Sequence, residues 1–188
     1  MVSDIKMLGF ASSAPTYKVR LTCRLGRATR SPKNTMLNKI KQILSKVTDP
    51  EIPVLSLEDL GVIRNIEVND DEVIVTITPT YSGCPAMEVM EQDIINVLSK
   101  DGRKVGLPSN IKVVTQLSPA WTTDWMTENG KKALFEYGIM PPNKKGEVIC
   151  PQCKSKHVEL ISQFGSTACK ALYRCNHCLE PFDYFKCH

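Results

Sequence analysis

At 188 residues the chain is long enough for one principal core plus a small appended module. No apolar run approaches the roughly 18 residues that a membrane helix needs. The formal charge of +4 divides unevenly. Residues 1–35 carry seven Lys/Arg (Lys6, Lys18, Arg20, Arg24, Arg27, Arg30, Lys33) against Asp4, and the remainder carries 17 bases against 19 acids. A mildly acidic body speaks against a nucleic-acid groove, whose phosphate contacts need clustered Lys/Arg.

Residues 1–35 are basic, poor in acids, and scattered with Ser and Thr. Three readings stand: a disordered arm, an organelle transit peptide, or a leader ahead of a true start at Met36, which is preferred. From Met36 onward Leu37, Ile40, Leu44 and Val47 recur at helical spacing, predicting a helix over 36–48 that ends before Asp49-Pro50. The following D-P-E-I-P-V-L-S-L-E-D-L-G sets four carboxylates (Asp49, Glu51, Glu58, Asp59) among Ile52, Val54, Leu55, Leu57 and Leu60. Burial of those apolar side chains would hold the acids in fixed places.

Residues 62–68 and 73–79 alternate around Asn69-Asp70-Asp71, predicting a β-hairpin. After T-P-T-Y-S-G-C-P-A-M a helix is expected with Met87, Met90, Ile94, Val97 and Leu98 on one stripe. Pro85 would take its first position and leave Cys84 at or near its N-cap. A strand at Ile111–Leu117 would return parallel to 73–79 through a crossover, and Trp121–Tyr137 reads as a helix closed by Gly138. The fold class is therefore α+β, a small mixed sheet (hairpin plus βαβ crossover) with helices packed on it over 36–142, followed by a metal-stabilised β-ribbon over 147–188. A thiol at a helix N-terminus is expected to favour its thiolate, with Thr80, Tyr81 and Ser82 offering hydroxyls around it.

The tail holds six of the eight cysteines. Cys150/Cys153 and Cys175/Cys178 form two C-x-x-C pairs with 21 residues between their inner members. Two such turns facing each other make a tetrahedral sulfur cage, suited to structural zinc, with a four-cysteine iron site as the softer alternative. A disulfide-stapled secreted tail is disfavoured, because nothing else in the chain looks secreted. Cys169 and Cys187 are left over: buried apolar residues, a second metal pair, or substitutes in an iron–sulfur set. His177 is expected to point away from the metal, and His157 to lie at the surface on a spacer strand. The aromatic residues Phe164, Tyr173, Phe182, Tyr184 and Phe185 would build a mini-core, a docking face, or both.

The two motif blocks D-P-E-I-P-V-L-S-L-E-D-L-G and T-P-T-Y-S-G-C-P-A-M resemble the domain shared by SufT and the eukaryotic cytosolic iron–sulfur targeting factors. Joined to a tail reading F-G-S-T-A-C-K-A-L-Y-R-C-N-H-C-L-E-P-F-D-Y-F-K-C-H, the combination is similar to the PaaD family over roughly 36–188. The resemblance implies an accessory protein, not an enzyme, that helps to assemble or insert the iron centre of the multicomponent phenylacetyl-CoA epoxidase of phenylacetate degradation. It implies the epoxidase subunits as partners, the iron–sulfur reductase first among them, and a cytoplasmic setting. The functional positions it carries over are Asp49, Glu51, Thr80 and Cys84. Cys84 is expected to be the transfer ligand for iron or a transient iron–sulfur cluster, its shell completed by a homodimer partner or a client thiolate. The rival reading is a zinc-ribbon adaptor that docks nucleic acid or protein without moving metal. No nucleic acid and no membrane are expected as partners.

Overall fold

The computed structural model describes residues 32–143 and 146–186. Residues 1–31 of the leader, with Cys23, and Cys187 and His188 lie outside the described residues, whereas the leader's last four residues fall in a helix.

Helix α1 spans Pro32–Leu44, starting earlier than the periodicity suggested. A proline is tolerated in the first turn, where the N–H it lacks would have no helical partner. Ile40 and Leu44 are buried, and Val47 is buried in the turn that follows. The chain then folds the acidic loop back on itself, with the Asp49 N–H donating to the Leu55 carbonyl and the Leu57 N–H to that of Val47. Ile52, Leu55, Leu57 and Leu60 are buried as expected, but Val54 at the tip is 44% exposed. At Gly61 φ is +75°, and a Cβ there would sit 2.7 Å from the Trp125 carbonyl carbon. Only glycine meets both conditions without strain.

Strands β1 (Ile63–Val68) and β2 (Glu72–Ile77) pair antiparallel. Helix α2 (Met87–Gly102) then crosses over to β3 (Asn110–Thr115), which lies parallel to β2. The strand order is β1-β2-β3, the mixed sheet that the alternation and the strand–helix–strand order predicted. Val73, Val75 and Ile77 turn inward from β2 and meet Met90, Ile94 and Leu98 of α2, beneath Ile40 and Leu44 of α1. Met87 and Val97 flank that stripe half-buried.

The expected helix Trp121–Tyr137 is shorter. A single 3₁₀ turn covers Thr123–Trp125, and α3 runs Glu128–Tyr137 with Thr127 as its N-cap and Gly138 as its left-handed C-cap. Trp121 precedes both elements. It is buried, and its Nε1–H donates to the Leu60 carbonyl at 3.0 Å. Periodicity included it because a core tryptophan and a helix-stripe tryptophan look alike in sequence.

The tail forms a second antiparallel sheet, β4 (Val158–Ser162), β5 (Lys170–Cys175) and β6 (Pro181–Phe185), in that order. Met140 locks this ribbon to the first sheet's domain. Its N–H donates to the Asp183 carbonyl, and its own carbonyl accepts from the Phe185 N–H at 2.9 Å. Phe185 then leaves the ribbon and enters the main core, 1% exposed, edge-on to Trp121 at 6.0 Å between ring centroids. The tail aromatics thus divide. Tyr173 stacks on Phe182 and meets Tyr184 edge-on beside the cysteines, while Phe164 is 67% exposed with Lys186 over its ring.

Candidate functional site

Two cysteine sites of different character emerge. In the ribbon, the Sγ atoms of Cys150, Cys153, Cys175 and Cys178 all lie within 4.8 Å of one another. Sγ–Sγ distances of 3.6 Å (Cys150–Cys178) and 3.5 Å (Cys153–Cys175) are close to the edge of about 3.8 Å that zinc–sulfur bonds of about 2.3 Å give a tetrahedron. Each knuckle is built the same way. The residue after Cys153, Lys154, and the residue after Cys178, Leu179, have φ of 60° and 66°. Their N–H groups return to the carbonyls of Cys150 and Cys175 at 2.9 Å. The backbone N–H of Cys178 and of His177 also point at the Cys175 sulfur, which draws that thiol down to about 6. Such a donor set fits a metal of zinc type. When bound, that metal supplies cross-linking and no open coordination position. His157 and His177 are exposed.

The second site lies where the ribbon meets the α+β domain. Asp49, Thr80, Cys84, Cys169 and Phe185 line a cavity of ≈ 220 Å³, with Glu51 at its edge. Asp49 comes from the loop after α1. It is only 7% exposed, and its Oδ1 accepts the N–H of Glu51 at 2.7 Å and of Ile52 at 2.9 Å. Burial outweighs those two hydrogen bonds and raises its pKa above the ordinary carboxylate value. Glu51 is exposed and Thr80 half-buried. The four carboxylates of the loop therefore do different work. Asp59 is structural, accepting from the hydroxyls of Ser56 and Thr127 and so tying the loop to the start of α3.

Cys84 is half-buried in the turn before α2. The helix begins at Met87 with Ala86 as N-cap, so Pro85 does not take the first helical position expected of it, while Cys84 lies near the cap, two residues before it. The expected thiolate bias is also reversed. Burial raises the Cys84 thiol, the Ala86 N–H only partly offsets that, and Asp49 and Cys169 add to the rise.

Cys169, left open in the sequence, is not in the ribbon's metal cluster. It packs half-buried against the main core and accepts from or donates to the Thr167 hydroxyl at 3.0 Å. Beside it Lys170 is 3% exposed, with its Nζ 3.8 Å from Asp183, and its charge also reaches Asp49. Ser166, Thr167 and Lys170 were not singled out from the sequence. They lie in the S-T-A-C-K run of the tail motif, where the sequence marked an unassigned cysteine and gave its neighbours no role. A second hollow, on the other side of Thr80 and Tyr81, is lined by Thr78, whose buried hydroxyl has no hydrogen-bond partner.

Family models match both parts of the chain: an iron–sulfur cluster assembly protein model over residues 37–106, and a PaaD zinc beta ribbon domain model over 139–186. A protein of Escherichia coli K12, named as a putative subunit of 1,2-phenylacetyl-CoA epoxidase, is 49% identical over 158 residues, covering 80% of this chain and 93% of its own length. The chain belongs to the PaaD family. This PaaD-family chain is also 37% identical over 103 residues to the "Fe-S protein maturation auxiliary factor" of Porphyromonas gingivalis, covering 54% of the chain and 90% of that protein. Its α+β part resembles the crystal structure of a domain of unknown function from Bacillus anthracis, with a TM-score of 0.49 and 26% identity over 54% of this chain and 92% of that one. No described helix is long and apolar enough to cross a membrane.

Proposed function

We propose that this protein is an accessory factor of iron–sulfur assembly rather than an enzyme, and that Cys84 is the ligand through which iron or a cluster passes to a client. The observation that carries the proposal is the contrast between the two cysteine sites. The ribbon tetrad is gathered and closed, as a structural zinc staple requires, and a closed four-thiolate cage does not release its metal readily. Cys84 instead opens on a cavity with Asp49, Glu51 and Thr80, where a soft sulfur and a hard carboxyl group face the same space. A site with few and mixed ligands suits cargo that must leave. On this reading Asp49 and Thr80 shape the cavity, and Glu51 stands at its rim.

The relatives support a reading of the client. A kinship with a protein named as a phenylacetyl-CoA epoxidase subunit, and with one named as an Fe-S maturation auxiliary factor, supports the epoxidase as the destination. Its iron–sulfur reductase is the subunit whose chemistry needs such delivery. The test is made in cells. Epoxidase reductase is purified anaerobically from cells carrying the wild-type chain or Cys84→Ala, and its iron and sulfide are counted. A reductase fully loaded in the Cys84→Ala background overturns the proposal. Loss of cluster while the variant retains its ribbon zinc supports it.

A further inference from the structure

The proposed transfer site has one thiol from the α+β domain, and the structure brings a second to it from the ribbon. Cys84 and Cys169 line the same cavity, close enough that charge on Cys169 adds to the rise in the Cys84 pKa. Asp49, nine-tenths buried, faces the cavity with them. We propose that Cys169 is the second thiolate of the transfer site, so that one chain offers a soft divalent metal two sulfurs and the Asp49 carboxylate without a second copy. This rests on the reading of Cys84 as the transfer ligand and changes who completes its shell.

Three features of the fold support it. The ribbon is locked to the domain by the Met140 hydrogen bonds and by Phe185 seated in the main core, so Cys169 is held at the cavity rather than carried past it. Cys169 is fixed locally as well, since its carbonyl accepts the Lys186 N–H at 3.0 Å and its sulfur meets the Thr167 hydroxyl. Finally, these donors are not gathered as the ribbon tetrad is. An ungathered set binds more weakly than a closed cage, which suits a cargo in transit. The ribbon would then supply part of the transfer site in addition to holding its own metal.

Binding is a ligand exchange with no change of oxidation state. Each thiol gives its proton to solvent as its sulfur bonds to the metal, so one divalent ion taken up by both cysteines releases two protons.

The experiment uses the full chain with its ribbon zinc in place, titrated anaerobically with Co²⁺, whose thiolate charge-transfer absorption reports sulfur ligation. Wild type is expected to take one further Co²⁺ per chain with that absorption. Cys169→Ser and Cys84→Ser should each lose about half of the absorption and bind at least tenfold more weakly, which is about 1.4 kcal/mol. The double variant should show none. If Cys169→Ser titrates as wild type while Cys84→Ser does not, the second-thiolate proposal fails and the role of Cys84 stands. If neither variant differs from wild type, both readings fail. A second measurement does not depend on the variants folding. Dibromobimane, which joins thiols a few ångströms apart, should link Cys84 to Cys169 in the wild-type chain. Absence of that cross-linked peptide, with both cysteines singly labelled, overturns the proposal.

Discussion

Replacing Phe185 by alanine tests how firmly the ribbon is seated, and with it the cavity between the two parts. Phe185 is 1% exposed, within the same cluster as Ile40, Val75 and Ile94, and edge-on to Trp121. Truncating a buried phenylalanine costs about 3–5 kcal/mol, from lost transfer free energy and the hole left behind. The upper half of that range is expected, because the Met140 hydrogen bonds to Asp183 and Phe185 prevent this segment from shifting to fill the hole. With a urea slope of about 2 kcal/mol per molar, the unfolding midpoint should fall by about 2 M. Trp121, the ring that Phe185 touches, gives the fluorescence signal, and zinc content should remain at the wild-type level because the tetrad is untouched. Phe185 also walls the Cys84 cavity, so Cys84 should react faster with a thiol reagent in the folded variant. A midpoint within about 0.5 M of wild type would show that the ribbon is not anchored through the main core, and the shared cavity would lose its basis.

Two further expectations concern the cavity acid and the ribbon metal. Burial raises the Asp49 pKa above 3.8, so this group favours folding most below pH 3.8 and loses that contribution as pH rises through its folded value. Asp49→Asn keeps the Oδ1 acceptor for the Glu51 and Ile52 N–H groups and should be as stable as wild type or more so at pH 7, with the difference vanishing toward acid. Asp49→Ala leaves both N–H groups without that acceptor and should cost about 1–3 kcal/mol. Urea melts from pH 4 to pH 8 check this, and an Asn variant as damaged as the Ala variant would sink it. Removing the ribbon metal with a chelator should unfold β4–β6, because binding supplies on the order of 10 kcal/mol in small zinc modules. Amide chemical shifts of Val158–Phe185 that stay dispersed after stoichiometric metal loss would refute this.

The elements that carry their own period were legible in the chain. Val73, Val75 and Ile77 alternate, Met90, Ile94 and Leu98 recur at helical spacing, and both become core faces because pleat and helix turn those intervals inward. The four-cysteine cluster was equally legible. Each C-x-x-C knuckle is a local structure, and its spacing already states the chemistry. The boundaries of α1 and α2 and the placement of Trp121 were not, since capping and tertiary burial leave no periodic trace.

Sequence by itself thus determined the mixed sheet, the ribbon and the metal tetrad, and it singled out Cys84 and Asp49. Tertiary structure alone decided the state and company of that cysteine. Expected as a dipole-stabilised thiolate, the half-buried Cys84 has its pKa raised instead, because desolvation by the cavity outweighs the nearby N–H. It also lines the same cavity as Cys169, which comes from the ribbon. The physical reason is that desolvation and proximity depend on which surfaces pack together. Here that was settled by one aromatic side chain, Phe185, leaving its own sheet for the core of the other.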